Sequence, residues 1–126
     1  MARILLVEDE DLVRYSLRNV LEKLGHEVFE ASDGDEGLSE FKSMMSKDKS
    51  PDVVITDIIM PNKHGYDLIC NIRSISTDTK IIAISGGGGA NPKVFLEISE
   101  FLGVNHILAK PFSFDDLLQA VNHCTA

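Results

Sequence analysis

Two cysteines are all that this chain of 126 residues contains, Cys70 and Cys124, and they stand in neither a CxxC nor a metal-ligand spacing. That argues against a disulfide framework or a nucleophilic thiol, and for two reduced structural thiols in a cytoplasmic protein. His26, His64, His106 and His123 form no metal spacing either. Basic charge is scarce: 12 Lys and Arg against 20 Asp and Glu leave a formal net charge of −8. Direct binding of nucleic acid through a basic surface is disfavoured, as is attraction to an anionic membrane. No apolar run approaches the roughly 20 residues of a membrane-spanning helix. The N-terminus, MARILLVEDED, turns acidic too soon for a secretory signal. No repeat, low-complexity tract or linker interrupts the chain, so a single domain over residues 1–126 with one core is expected.

What is present is an alternation. Ile4–Val7 is a continuous apolar run, as in a strand covered on both faces. Leu12, Val13, Leu17, Val20, Leu21 and Leu24 then recur at helical spacing, and Gly25 closes that helix. His26–Ala31 reads as a second strand. Ser32-Asp33-Gly34 offers caps for a helix from about Asp35, with Leu38, Phe41, Met44 and Met45 apolar. Val53–Thr56 runs into Asp57, and Pro61, Asn62 and Gly65 make the following stretch a turn. Tyr66–Ser74 is a third helical stretch, and Lys80–Ile84 a fourth strand ending in Ser85. After Gly86–Gly89, Asn91-Pro92 starts a helix with Val94, Phe95, Ile98, Phe101 and Leu102 inward, stopped by Gly103. His106–Ala109 is a fifth strand ending in Lys110-Pro111. Ser113 then caps a last helix with Phe114, Leu117, Leu118 and Val121 inward. Phe95, Phe101, Phe112 and Phe114 are read as core and not as recognition surface. Strands alternate with helices five times, which predicts an α/β doubly wound fold, a parallel sheet with helices on both faces.

In such a sheet every strand ends at the same edge, and ligands bind there where the strand order reverses. The flavodoxin-like order 2-1-3-4-5 is one common arrangement. It places Glu8 and Asp9 beside Asp57, with Ser85 and Lys110 on the two strands beyond. Three close carboxylates repel, and one stays protonated unless cations compensate. A hard divalent ion with oxygen ligands answers this, and Mg²⁺ suits a site with few carboxylates. A cation plus the Lys110 ammonium around one carboxylate makes a trap for a phosphoryl group, with Asp57 as the nucleophile and the Ser85 hydroxyl as a further donor. Alone, Glu8–Asp11 reads as a solvated acidic helix start and Asp57 as a turn former; their convergence with Lys110 favours the site. The glycine run lacks the Gly-Lys-Ser/Thr ending of a P-loop and fails GxGxxG at Asn91, so it reads as a structural loop.

Glu8-Asp9, Asp57 with Met60-Pro61 and Gly65, Ser85, and Lys110-Pro111-Phe112 together resemble the receiver domain of two-component response regulators. The resemblance covers essentially the whole chain. It implies a (βα)₅ domain and Mg²⁺ held by Asp9, Asp57 and the main-chain carbonyl of Ile59, with Glu8 acting through water. It implies that Asp57 accepts phosphate from the phosphohistidine of a sensor histidine kinase or a histidine phosphotransfer protein. It further implies a cis peptide at Lys110–Pro111, a phosphate-responsive Ser85, and an unknown downstream protein partner. The chain ends about one helix after Lys110, so a stand-alone switch is expected, with a receiver cut from a longer regulator or hybrid kinase as the alternative. An aspartyl-nucleophile phosphatase of the haloacid-dehalogenase type is a further alternative, but it needs an acid two residues after the nucleophile, where Ile59 stands. A pseudo-receiver requires a missing site residue, and all five are present.

Two departures matter. Where the family often has an aromatic residue three positions before the lysine, this chain has Ile107, so ring-based signalling does not carry over directly. Ile59 and Gly87, each two positions after a site residue, offer no group to bind or orient an attacking water. Hydrolysis of the phosphorylated chain is therefore expected to be slow. Loss of a phosphoryl label from the isolated protein, followed by mass measurement, checks this; a half-life of seconds overturns it.

Overall fold

Strand formation follows from apolar runs that can be buried on both sides. The computed structural model describes residues 1–58, 65–85 and 102–125. Ile59, Met60–His64, the glycine run, Gly87 and the helix start expected at Asn91-Pro92 lie outside them. In order, the described elements are β1 (Arg3–Val7), α1 (Asp11–Lys23), β2 (Glu27–Ala31), α2 (Gly34–Ser46), β3 (Val53–Asp57), α3 (Gly65–Ile75), β4 (Lys80–Ser85), β5 (His106–Ala109) and α4 (Phe114–Thr125). The strands form one five-stranded sheet in the order β2-β1-β3-β4-β5, every neighbouring pair parallel. The doubly wound architecture and the order expected from the sequence are both found.

Alternate residues of each strand serve opposite faces. Ile4, Leu6, Val53, Ile55, Ile82 and Ile84 pack with Leu17 and Leu21 of α1 and Leu117 and Val121 of α4. Leu5, Val7, Val54, Ile81 and Ala83 pack with Phe41 and Met44 of α2 and Leu68, Ile69 and Ile72 of α3. Because both faces are covered, Ile4 through Val7 are all buried, which is why this strand reads as an unbroken apolar run. At ~25 cal/mol per Å² of apolar area, each such side chain contributes roughly 1.5–3 kcal/mol. Caps bound the helices as their residue types suggest. The Asp33 side chain accepts from Glu36 N–H at 2.8 Å ahead of α2. Ser113 and Asp116 exchange reciprocal bonds of 3.1 Å at the start of α4. Gly25, after α1, and Gly103, ahead of β5, take positive φ, as glycine permits.

Three apolar side chains depart from the expected core. Leu12 is 82% exposed, because the stripe of α1 that meets the sheet is Val13-Leu17-Leu21 and Leu12 lies about 100° round the helix from it. Leu24 caps the C-terminus, past the last turn in contact. Phe114 is exposed as the first residue of α4, ahead of the stretch Leu117–Cys124 that reaches the sheet. Phe112, by contrast, packs partly buried against the core. Among the described residues no helix is long and apolar enough to cross a membrane.

One glycine is demanded by packing. A Cβ on Gly65 would lie 1.6 Å from the Asp57 carbonyl oxygen and 2.7 Å from its carbon. The first turn of α3 therefore rests directly on the backbone that carries Asp57. Gly65→Ala is expected to cost ~2 kcal/mol or more of stability, since backbone and not a flexible side chain must yield. Urea unfolding measures it, and an unchanged midpoint and slope contradict the close approach.

Candidate functional site

The parallel register sets the site. Val7, the last residue of β1, pairs with Thr56, so Glu8 and Asp9 continue past the sheet beside Asp57. Asp57 pairs with Ile84, and Ser85 with Ala109, so Ser85 and Lys110 follow on the next two strands. The strand order reverses direction about β1, with β2 on one side and β3 on the other. Carboxylate oxygens of Glu8, Asp9 and Asp57 lie within 4.8 Å of one another. Glu8, Asp57 and Ser85 are buried and Asp9 is half-exposed.

Lys110 holds the two buried acids. Its Nζ lies 3.3 Å from Asp57 Oδ1, 3.4 Å from Asp57 Oδ2 and 3.4 Å from Glu8 Oε1. The Lys110 N–H donates to the Ser85 carbonyl at 2.9 Å, and the Lys110–Pro111 peptide is cis. Glu8 also accepts from Glu10 N–H at 3.0 Å, and Arg14 Nη1 donates to the Glu8 carbonyl at 2.7 Å. Arg14 in turn pairs with Asp11 at 2.7 Å, so the loop after β1 is tied to α1. Ile107 sits on β5, two strands from the one that carries Asp57, half-buried against the core face shared with α2 and α3. The expected Ile59 carbonyl lies outside the described residues.

The charges do not balance. Burial pushes the Asp57 carboxyl up, the neighbouring Glu8 pushes it further, and Lys110 only partly opposes them, which leaves it at about 8. Burial pulls the Lys110 ammonium down, but Asp57 and Glu8 outweigh this and its pKa is raised. Asp57 Oδ1 is buried and has no hydrogen-bond partner, because the Lys110 contact at 3.3 Å is within ion-pair range but misaligned. An orphaned buried oxygen on an acid clustered with two other carboxylates fits a hard divalent cation with oxygen ligands, the class to which Mg²⁺ belongs. Sequence reasoning missed the flank of this site. Lys110 also lines an open groove of about 600 Å³ whose walls include Leu12, Val13, Phe112 and Phe114. Helical spacing assigns Leu12, Val13 and Phe114 to inward faces, and Phe112 reads as core.

Fold and site thus define a parallel α/β domain with an acidic cluster at its topological switch point. The model of the response regulator receiver domain matches residues 4–122. Chemotaxis protein CheY of Thermotoga maritima is 32% identical over 121 residues, covering 95% of this chain and 94% of that protein. A response regulator receiver domain from Clostridium thermocellum superposes with a TM-score of 0.84 at 33% identity, covering 98% and 94% of the two chains. The response regulator TrrA of T. maritima, solved in complex with Mg²⁺-BeF, gives 0.81 at 32% identity over 98% and 99%. The chain belongs to the response regulator receiver domain family, the phosphorelay switches of two-component systems.

The raised Asp57 carboxyl makes stability depend on pH. The unfolded group ionises near 3.8 and the folded one near 8, so across that window the folded state holds a proton that the unfolded state has lost. Stability without metal is therefore full below about pH 4 and falls as pH rises toward 8. Asp57→Asn is expected to remove this decline and to raise stability at pH 8 by ~1 kcal/mol or more. Mg²⁺ at ten times its dissociation constant should stabilise the wild type by ~1.4 kcal/mol and the variant by less. Thermal unfolding at both pH values, with and without Mg²⁺, checks this; a variant that is less stable than wild type at pH 8 without metal contradicts it.

Proposed function

We propose that Asp57 is the phosphoacceptor of this receiver domain and that Glu8, Asp9 and Asp57, with the Ile59 carbonyl, hold Mg²⁺. The observation that carries this is the buried, unpartnered Asp57 Oδ1 with Lys110 Nζ at 3.3 Å and two further carboxylates within 4.8 Å. The bound cation supplies charge neutralisation for the acids and for the phosphoryl oxygens. Asp57 must be ionised to attack, and Lys110 beside it favours that form. One Asp57 oxygen bonds to phosphorus as the P–N bond of a donor phosphohistidine breaks, with its electron pair left on the imidazole. The product is an acyl phosphate on Asp57. Lys110 neutralises charge on the phosphoryl group, and the Ser85 hydroxyl, on the adjacent strand, engages one of its oxygens.

The donor is a sensor histidine kinase or a histidine phosphotransfer protein in the cytoplasm. The groove beside Lys110, with Leu12 and Phe114 exposed, supports this reading as an apolar surface next to the acids that a protein donor could cover. The domain catalyses only its own phosphorylation and slow dephosphorylation, and its output passes through a protein partner. TrrA, crystallised with Mg²⁺-BeF, supports the same ligand class here.

Acetyl phosphate with Mg²⁺ is expected to add one phosphoryl mass to the wild type and none to Asp57→Ala. Chelation of Mg²⁺ should abolish the gain. A wild type that stays unmodified, or a mutant that gains the mass, overturns the assignment; steady turnover of small phosphate esters favours the phosphatase reading instead.

A further inference from the structure

Far from the acids, at the opposite edge of the sheet, one arginine has an unusual set of partners. Arg73, in the last turn of α3, donates from Nε to the Leu102 carbonyl at 2.8 Å and from Nη2 to the Gly103 carbonyl at 2.9 Å. Its Nη1 donates to the Thr79 carbonyl at 2.7 Å and, at 3.4 Å, to that of Ser76. Every acceptor is a neutral backbone carbonyl, and among the described residues Arg73 forms no ion pair. Burial alone lowers its pKa. A guanidinium spent this way is not a solvated charge or a salt bridge; it is a brace.

What it braces decides the inference. Thr79 immediately precedes β4, which ends in Ser85, and Gly103 leads into β5, which ends at Lys110. Arg73 therefore ties together the starts of the two strands whose far ends deliver the hydroxyl and the ammonium. Asn105 completes the junction: its N–H donates to the Ile81 carbonyl and its Oδ1 accepts from Ile81 N–H, both at 2.9 Å. A strand rises ~3.3 Å per residue, the same length as the Lys110–Asp57 contact of 3.3 Å. A slip of one residue between β4 and β5, or a fraction of one, would take the ammonium off Asp57. The carboxylates proposed to hold the cation sit instead after β1 and at the end of β3, strands to which Arg73 makes no hydrogen bond.

We infer that Arg73 is a positioning residue for phosphoryl transfer, fixing β4 and β5 so that Ser85 and Lys110 meet the phosphoryl group while leaving the cation site alone. The inference rests on the phosphoacceptor reading above. Lysine cannot replace it, since one ammonium cannot fork to carbonyls from two strand junctions.

The test compares wild type, Arg73→Lys and Arg73→Gln in Mg²⁺ and acetyl phosphate, with folding verified by circular dichroism. Mg²⁺ affinity, from NMR titration, is expected to stay within about twofold of wild type, while the rate of gain of phosphoryl mass falls about tenfold or more in both variants. A Lys variant as fast as wild type overturns the forked role. Equal losses of Mg²⁺ affinity and rate overturn the positioning role in favour of general loosening. Variants that fail to fold at all also overturn it, making Arg73 a stability residue. A wild type that gains no phosphoryl mass removes the site reading itself, a result separable from all of these.

Discussion

Carboxylates repel at close range, and burial makes each of them more costly to ionise. At an effective dielectric of about 20, a pair of unit charges held within 4.8 Å costs ~3 kcal/mol or more, and Glu8, Asp9 and Asp57 make three such pairs. Each Lys110 contact near 3.4 Å returns ~5 kcal/mol on the same scale, but only to Glu8 and Asp57. The repulsion is at best matched, and the cost of desolvating Glu8 and Asp57 remains. The cluster therefore requires a proton or a divalent cation. A domain whose site is unsettled until a cation arrives, and which can then take on a dianionic group, has the energetics of a switch and not of a static binding pocket.

The scaffold has to hold that cluster against its own repulsion. A parallel sheet does so through its hydrogen-bonded ladder: the acids are the residues that follow β1 and end β3, and their separation is fixed by strand pairing at Val7–Thr56. Two-sided burial makes that pairing rigid, since a slip of one residue would exchange the side chains given to α1 and α4 with those given to α2 and α3. Gly65 adds a second restraint. Only a residue without Cβ lets α3 rest on the Asp57 carbonyl, so the helix on one face presses on the backbone of the central acid. Arg73 closes the same helix at its other end. α3 thus spans the distance from the acids to the starts of β4 and β5.

Much of this was legible in the residues themselves. Ile4–Val7 and Val53–Thr56 announced doubly covered strands, and the chemistry at their ends was readable because acids that close an apolar run are rare. The side chains that helical spacing misplaced, Leu12 and Phe114, were misplaced for a physical reason. Leu12 falls one residue beside the stripe that meets the sheet, and Phe114 lies at a helix start ahead of the part that reaches it; an apolar residue next to a stripe or at a helix end reads the same in sequence as one inside it. Arg73 gave no signal at all: its partners are carbonyls, which every residue carries, so no pairing of residue types could reveal it. The protonation of Asp57 lay between these cases. Repulsion among three acids could be foreseen, but that the excess falls on Asp57 follows from its burial and from Glu8 beside it, which outweigh Lys110.

Ile107 shows how the energetics at one edge bear on the rest of the molecule. It stands three residues before Lys110 on β5, and it packs with Val104, Leu102 and the face shared by α2 and α3. An aliphatic side chain there has no ring to rotate between solvent and core, and no hydroxyl or ring nitrogen to exchange partners. Any displacement of Lys110 or Ser85 at the acidic edge would therefore be taken up along β4 and β5 and in the packing of Ile107 against its neighbours. Close-packed apolar contacts resist small continuous shifts and yield between discrete arrangements. The same packing that makes Ile107 a poor ring switch makes β5 a stiff lever between Lys110 at the acidic edge and the opposite end of the strand.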